Sequence, residues 1–155
     1  MRGSVFALRG GRTLASERLQ LLDQRVSAYL GEMELQPEQS EEGLHLFTYG
    51  STVVMVSLFE QGDATYCRFA SIMLKDFEPT LELLQRVLRL NTEVLFGSFL
   101  LFEDGTLSFS ATLLGNHLDH EEFERTLQYV AQVSDDYDDE LQALVGGKRA
   151  IDVLS

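Results

Sequence analysis

FEPTLELLQRVLRLNT, residues 77–92, is the stretch whose reading decides the fold. At about 100° per residue, Phe77, Leu81, Leu84 and Leu88 fall on one side of a helix, while Leu83, Val87 and Leu90 fall on an adjoining side. Glu82, Gln85, Arg86 and Arg89 are left for water. Pro79 suits the first helical position, where a missing N–H is no loss. A surface helix usually carries an apolar stripe a little over about 100° wide, but here the apolar arc takes roughly half the circumference. The surplus predicts a homodimer interface through Leu83, Val87 and Leu90. A neighbouring helix of the same chain is the alternative cover. If the first holds, Val87→Asp or Leu83→Asp gives a monomer, because an unpaired carboxylate is costly to bury.

On either side of this helix the pattern turns to strands. Before it, Leu44 to Tyr49, Thr52 to Phe59 and Thr65 to Leu74 are rich in β-branched and large apolar residues and are punctuated by Gly50-Ser51 and Gln61-Gly62-Asp63. They predict an antiparallel meander, with VVMVSLF central and covered on both faces for part of its length. After it, Val94 to Phe102 and Leu107 to Leu114 flank Glu103-Asp104-Gly105-Thr106, whose Asp-Gly pair favours a hairpin. Leu107, Phe109, Ala111 and Leu113 alternate with Ser108, Ser110 and Thr112, so one face of that strand is buried.

Two further helices complete the order. Thr13 to Leu30 repeats Leu19, Leu22, Val26, Tyr29 and Leu30 at helical spacing, with Gly31 suited to the left-handed position beyond its end. The five-Glu segment 31–43 reads as an acidic connector. Near the end, Asp119 and Glu122 form a capping box and Leu118 with Phe123 a hydrophobic staple. The inward stripe of this last helix runs through Phe123, Leu127, Val130, Ala131, Ser134, Tyr137 and Leu141 to a stop at Gly146-Gly147. The fold class is therefore α+β, an antiparallel five-stranded sheet with three helices in the order α-βββ-α-ββ-α. Residues 1–13 read as a flexible leader, 14–145 as a single domain and 146–155 as a tail.

Composition narrows the function classes. Twelve Lys and Arg stand against 25 Asp and Glu, a net charge of −13, which disfavours nucleic acid and anionic membranes and favours basic partners. No run approaches the roughly 18 apolar residues that span a bilayer. A lone cysteine, Cys67, sits in a strand and reads as a buried small hydrophobe in a reducing, cytoplasmic compartment.

Motifs for chemistry are sparse. Asp135, Asp136, Asp138, Asp139 and Glu140 lack the alternating ligands and sharp Gly turn of a calcium loop and would fan around a helix. His117 and His120 stand three apart beside Glu121, but the capping pattern puts one in a loop and the other on the first turn, and zinc needs more ligands. No nucleophile elbow, Cys-His signature or phosphate-cradling glycine loop is evident. Catalytic, cofactor-binding and metal residues are accordingly none. Recognition by surface remains, with sheet edges able to accept an extended segment and alternate pockets supplying preference.

LLQRVLRLN, the hairpin FGSFLLFEDGTLSFSATLL and the capped helix LDHEEFERTLQYVAQVSDDYDDEL, together with the element order, resemble the YbjN-like proteins, which share the type III secretion chaperone-like fold. The resemblance covers roughly Leu14 to Leu144. It implies an acidic, cytoplasmic, non-enzymatic homodimer whose central helix, matching Thr80 to Asn91, contributes to the dimer. It also implies that an extended stretch of a client protein wraps over the sheet and first helix. The function expected is a dimeric chaperone-like or adaptor protein binding an extended, apolar and somewhat basic segment. A regulatory protein docking on a folded partner is the alternative.

Overall fold

The computed structural model describes residues 16–150 and residue 152, so the expected leader lies outside the described residues. The chain forms α1 (Glu17–Glu32), β1 (Gln39–Glu41), β2 (Leu44–Tyr49), β3 (Thr52–Gln61), β4 (Ala64–Lys75), α2 (Leu81–Glu93), β5 (Ser98–Leu101), β6 (Leu107–Leu114), α3 (His120–Val145) and β7 (Lys148–Arg149). The class is α+β, as expected, but the antiparallel sheet has seven strands rather than five. Its order is β1-β2-β3-β4-β6-β5, with β7 paired to the end of β4 through Leu74↔Arg149 and Lys75↔Lys148. The five expected strands are all present; β1 lies in the acidic connector and β7 in the tail.

Helix boundaries follow their caps. Ser16 accepts the Leu19 N–H at α1, and Gly31 lies inside that helix; the left-handed residue beyond it is Glu34, at φ 57°. α2 starts later than Pro79 suggested, because the Thr80 hydroxyl accepts the Leu83 N–H and Pro79 precedes the cap. In α3 the capping box is complete: Asp119 accepts from the Glu122 N–H at 2.8 Å, and Glu122 accepts from the Asp119 N–H at 3.3 Å. Leu118 and Phe123 are both buried behind it.

Register places the core on one face of the sheet. Phe47, Val54, Ser71, Phe109 and Phe99 form a continuous row across β2, β3, β4, β6 and β5, and all five are buried. The next row adds His45, Val56, Phe69 and Ala111. Leu22, Val26 and Leu30 of α1, Leu83, Val87 and Leu90 of α2, and Phe123, Leu127, Val130 and Leu141 of α3 join the same cluster. Phe123 lies 5.1 Å from Phe69 and 5.6 Å from Tyr29, ring centre to ring centre, so one side chain links α3 to β4 and α1. Cys67 is fully buried here, and burial pushes its thiol well above its ordinary range.

Candidate functional surfaces

α2 has two apolar sides, and packing sorts them opposite to expectation. Leu83, Val87 and Leu90 are 0%, 7% and 0% exposed within a single chain. They belong to the protomer's own core, so they have no surface left to lose to a second copy. The side open to water is Leu81, Leu84 and Leu88, at 72%, 37% and 67% exposure. Arg86, on the polar side of the helix, pairs with Glu140 of α3, Nε to Oε1 at 2.8 Å.

The apolar exposure continues past the helix. Leu95, Phe96 and Leu101 are also exposed, so most of the large exposed hydrophobics of the described residues fall between positions 81 and 101. The segment is held from beneath. Tyr129 of α3 accepts the Leu95 N–H at 2.7 Å, and its ring stands 4.5 Å from that of Phe96. Gly97, at φ 80°, then admits the chain to β5; a Cβ there would meet the Ser110 carbonyl oxygen at 2.7 Å. At the margin of the sheet, Asn91 of α2 uses its amide on the backbone of Phe99. Its Oδ1 accepts the Phe99 N–H at 2.6 Å, and its Nδ2 donates to the Phe99 carbonyl at 3.5 Å. A side chain thus occupies hydrogen-bonding groups that an added strand would use.

At the opposite margin, β1, α1 and the β1–β2 turn border a groove of about 380 Å³ that includes Gln20, Asp23, Ser40, Glu41, Glu42 and His45. Buried His45 lies between Ser40 and Asp23, with Nδ1 2.9 Å from Ser40 Oγ and Nε2 2.9 Å from Asp23 Oδ1. The same Asp23 oxygen accepts the Gly43 N–H at 3.1 Å. Asp23 stands 22 residues from His45 and the group matches no motif, so sequence reasoning missed it. Its geometry is that of a clasp fastening α1 to the hairpin. Asp23→Ala leaves His45 Nε2 buried and unpaired, and should cost about 1–3 kcal/mol of unfolding free energy in a urea titration. A loss below a few tenths would show the clasp to be ornamental.

The sequence's other polar features are dispersed. Of the five acids in α3, Asp135 accepts from Ser51, Asp136 from Gln132, Asp139 from Arg149 and Glu140 from Arg86. Burial, followed by the neighbouring Asp139, raises the carboxyl pKa of Asp138. Among the described residues no group of three His, Cys, Asp or Glu is placed to hold a metal ion. His117 is exposed, whereas His120 turns its Nε2 inward, 3.5 Å from Glu32 Oε2, with its ring 5.2 Å from that of Tyr29. No helix among the described residues is long and apolar enough to cross a membrane.

The sheet packs its core against three helices and leaves a stripe of leucines exposed on α2. The chain belongs to the TY-Chap1 family, the T3SS (YopN, CesT) and YbjN peptide-binding chaperones 1, whose model matches residues 20–153. Binding is the activity that description names. A chain from the crystal structure of the ExsC–ExsE complex shares the fold, with a TM-score of 0.64 and 14% identity over 79% of this chain and 95% of that one. No curated protein sequence gives a significant match.

Proposed function

We propose that this protein is a non-enzymatic, dimeric chaperone or adaptor that holds an extended segment of a partner protein. The observation that carries the reading is the second apolar side of α2. Leu81, Leu84 and Leu88 form a helical stripe with no cover among the described residues, while the first side already completes the core. A stripe of exposed leucines on a highly charged protein is an interaction surface by physical default. We place the seam between two copies there, which leaves the sheet to the client. Membership in a family of peptide-binding chaperones supports the client, as does structural similarity to a chain of a two-protein complex.

The test uses a permanently unfolded protein, reduced and carboxymethylated α-lactalbumin, labelled with a fluorophore. Fluorescence anisotropy should show saturable binding to the dimer, and light scattering should give twice the chain mass. Absence of binding to any unfolded chain would favour the alternative, a regulator docking on a folded partner.

A further inference from the structure

The face of the sheet opposite the helices carries a pattern of its own. Four rows of residues cross it between the β3–β4 pairs Val53↔Ile72 and Phe59↔Tyr66, two of them reaching from β2 to β5. Between β2 and β5 these rows carry one formal charge, Arg68, and Glu41 of β1 ends the same row three strands away. Val53, Ala70, Ser108 and Ser110 are buried, Met55, Phe59, Tyr66 and Ile72 are half-buried and Thr112 and Leu114 are exposed, so the face is covered toward Val53 and open toward Arg68.

Arg68 is held in place without being neutralised. Its guanidinium lies 5.0 Å from the centre of the Phe59 ring, which stacks on Tyr66 at 5.4 Å and 17°, and its Nε donates to Thr112 Oγ1 at 3.0 Å. Arg18, Arg86, Arg125 and Arg149 each have a carboxylate partner. Arg68, like Arg25 and Arg89, has none among the described residues, although acids outnumber bases two to one, 25 against 12. Burial lowers its pKa, as expected for a cation removed from water without a counter-charge. A planar guanidinium already stacked and bonded through Nε is pre-organised to receive a carboxylate on its terminal nitrogens.

We propose that this face seats an extended apolar segment of a partner protein and that one carboxylate side chain of that segment docks on Arg68. The proposal rests on the client-holding reading above and specifies its ligand. It also revises the expected basic client: a Lys or Arg arriving at this face would meet a cation, whereas the acidic exterior repels runs of acid. The surface therefore selects an isolated carboxylate within an apolar stretch. A second copy docking here about a two-fold axis would bring one Arg68 toward the other, which argues for a different chain as occupant.

Two fluorescein-labelled peptides of alternating Leu and Ser, differing only in a central Asp or Lys, provide the test by anisotropy. The native protein should bind the Asp peptide about tenfold more tightly, with the difference shrinking as salt rises. Arg68→Glu should reverse the preference and Arg68→Gln should abolish it, both with the circular-dichroism spectrum of the parent. Should Arg68→Glu fail to fold, Arg68→Gln and the salt dependence of the native protein still decide. Equal binding of both peptides by the native protein, or an unchanged preference in Arg68→Gln, overturns the site. A change in oligomeric state by light scattering on substituting Arg68 would also overturn it, by assigning the face to a second copy. If unfolded α-lactalbumin binds while the peptides show no charge preference, only this site is lost. If neither binds, the client-holding reading fails with it.

Discussion

Leu88→Asp should leave a folded monomer, whereas Leu83→Asp should leave little folded protein. The two leucines sit on one helix, five residues apart, yet one is 67% exposed in the single chain and the other fully buried. An aspartate at position 88 is harmless to the protomer, because its carboxylate stays in water. In a dimer sealed by Leu81, Leu84 and Leu88 the same carboxylate would be buried without a counter-ion, at a cost of several kcal/mol. Light scattering should then report half the parent mass, with a cooperative melting transition that no longer depends on protein concentration. At position 83 the carboxylate enters the core beneath α2, and a comparable cost falls on folding itself, against a typical total of about 5–15 kcal/mol. A Leu88→Asp protein of the parent's mass would remove the seam from this helix.

Phe123→Ala should be the most destabilising of the conservative truncations, by about 3–5 kcal/mol. Its ring is fully buried between Phe69 on the sheet and Tyr29 on α1, and it stands one turn inside the capping box of α3. Losing it leaves a cavity where three elements meet. Tyr29 also donates its hydroxyl to the Leu118 carbonyl at 3.0 Å, so the damage should spread to the seating of α1. Chemical denaturation measures the loss, and a value under about 1.5 kcal/mol would mean that neighbouring side chains collapse into the space.

Some of this architecture could be read directly from residue order, for identifiable reasons. β2 and β6 match their expected spans because turn chemistry and alternation agree there, and α3 begins where its reciprocal cap dictates. The two apolar sides of α2 were legible as well, but not which of them faces inward. A helical wheel gives angles around an axis; it does not say which angle meets the sheet, and both sides here are leucine-rich. That choice is made by packing, with Leu83, Val87 and Leu90 entering the same cluster as Phe99, Phe109 and Leu141. β1 and β7 escaped notice because Gln, Ser, Glu, Lys and Arg carry little strand preference, and two- or three-residue strands exist only through their pairing partners. The Asp23, His45 and Ser40 clasp lacked any spacing signal. The isolation of Arg68 emerges only when register aligns β3, β4 and β6, since in the chain it is an ordinary base between Cys67 and Phe69.

The amide of Asn91 on the rim of β5 has a consequence for growth. Endless stacking of identical sheets needs two receptive margins per molecule, one to give and one to take. With Phe99 already satisfied by its own helix, a newcomer finds its welcome chiefly at β1, and a copy attached there presents a filled margin in turn. Association by that route would favour finite complexes over fibrils.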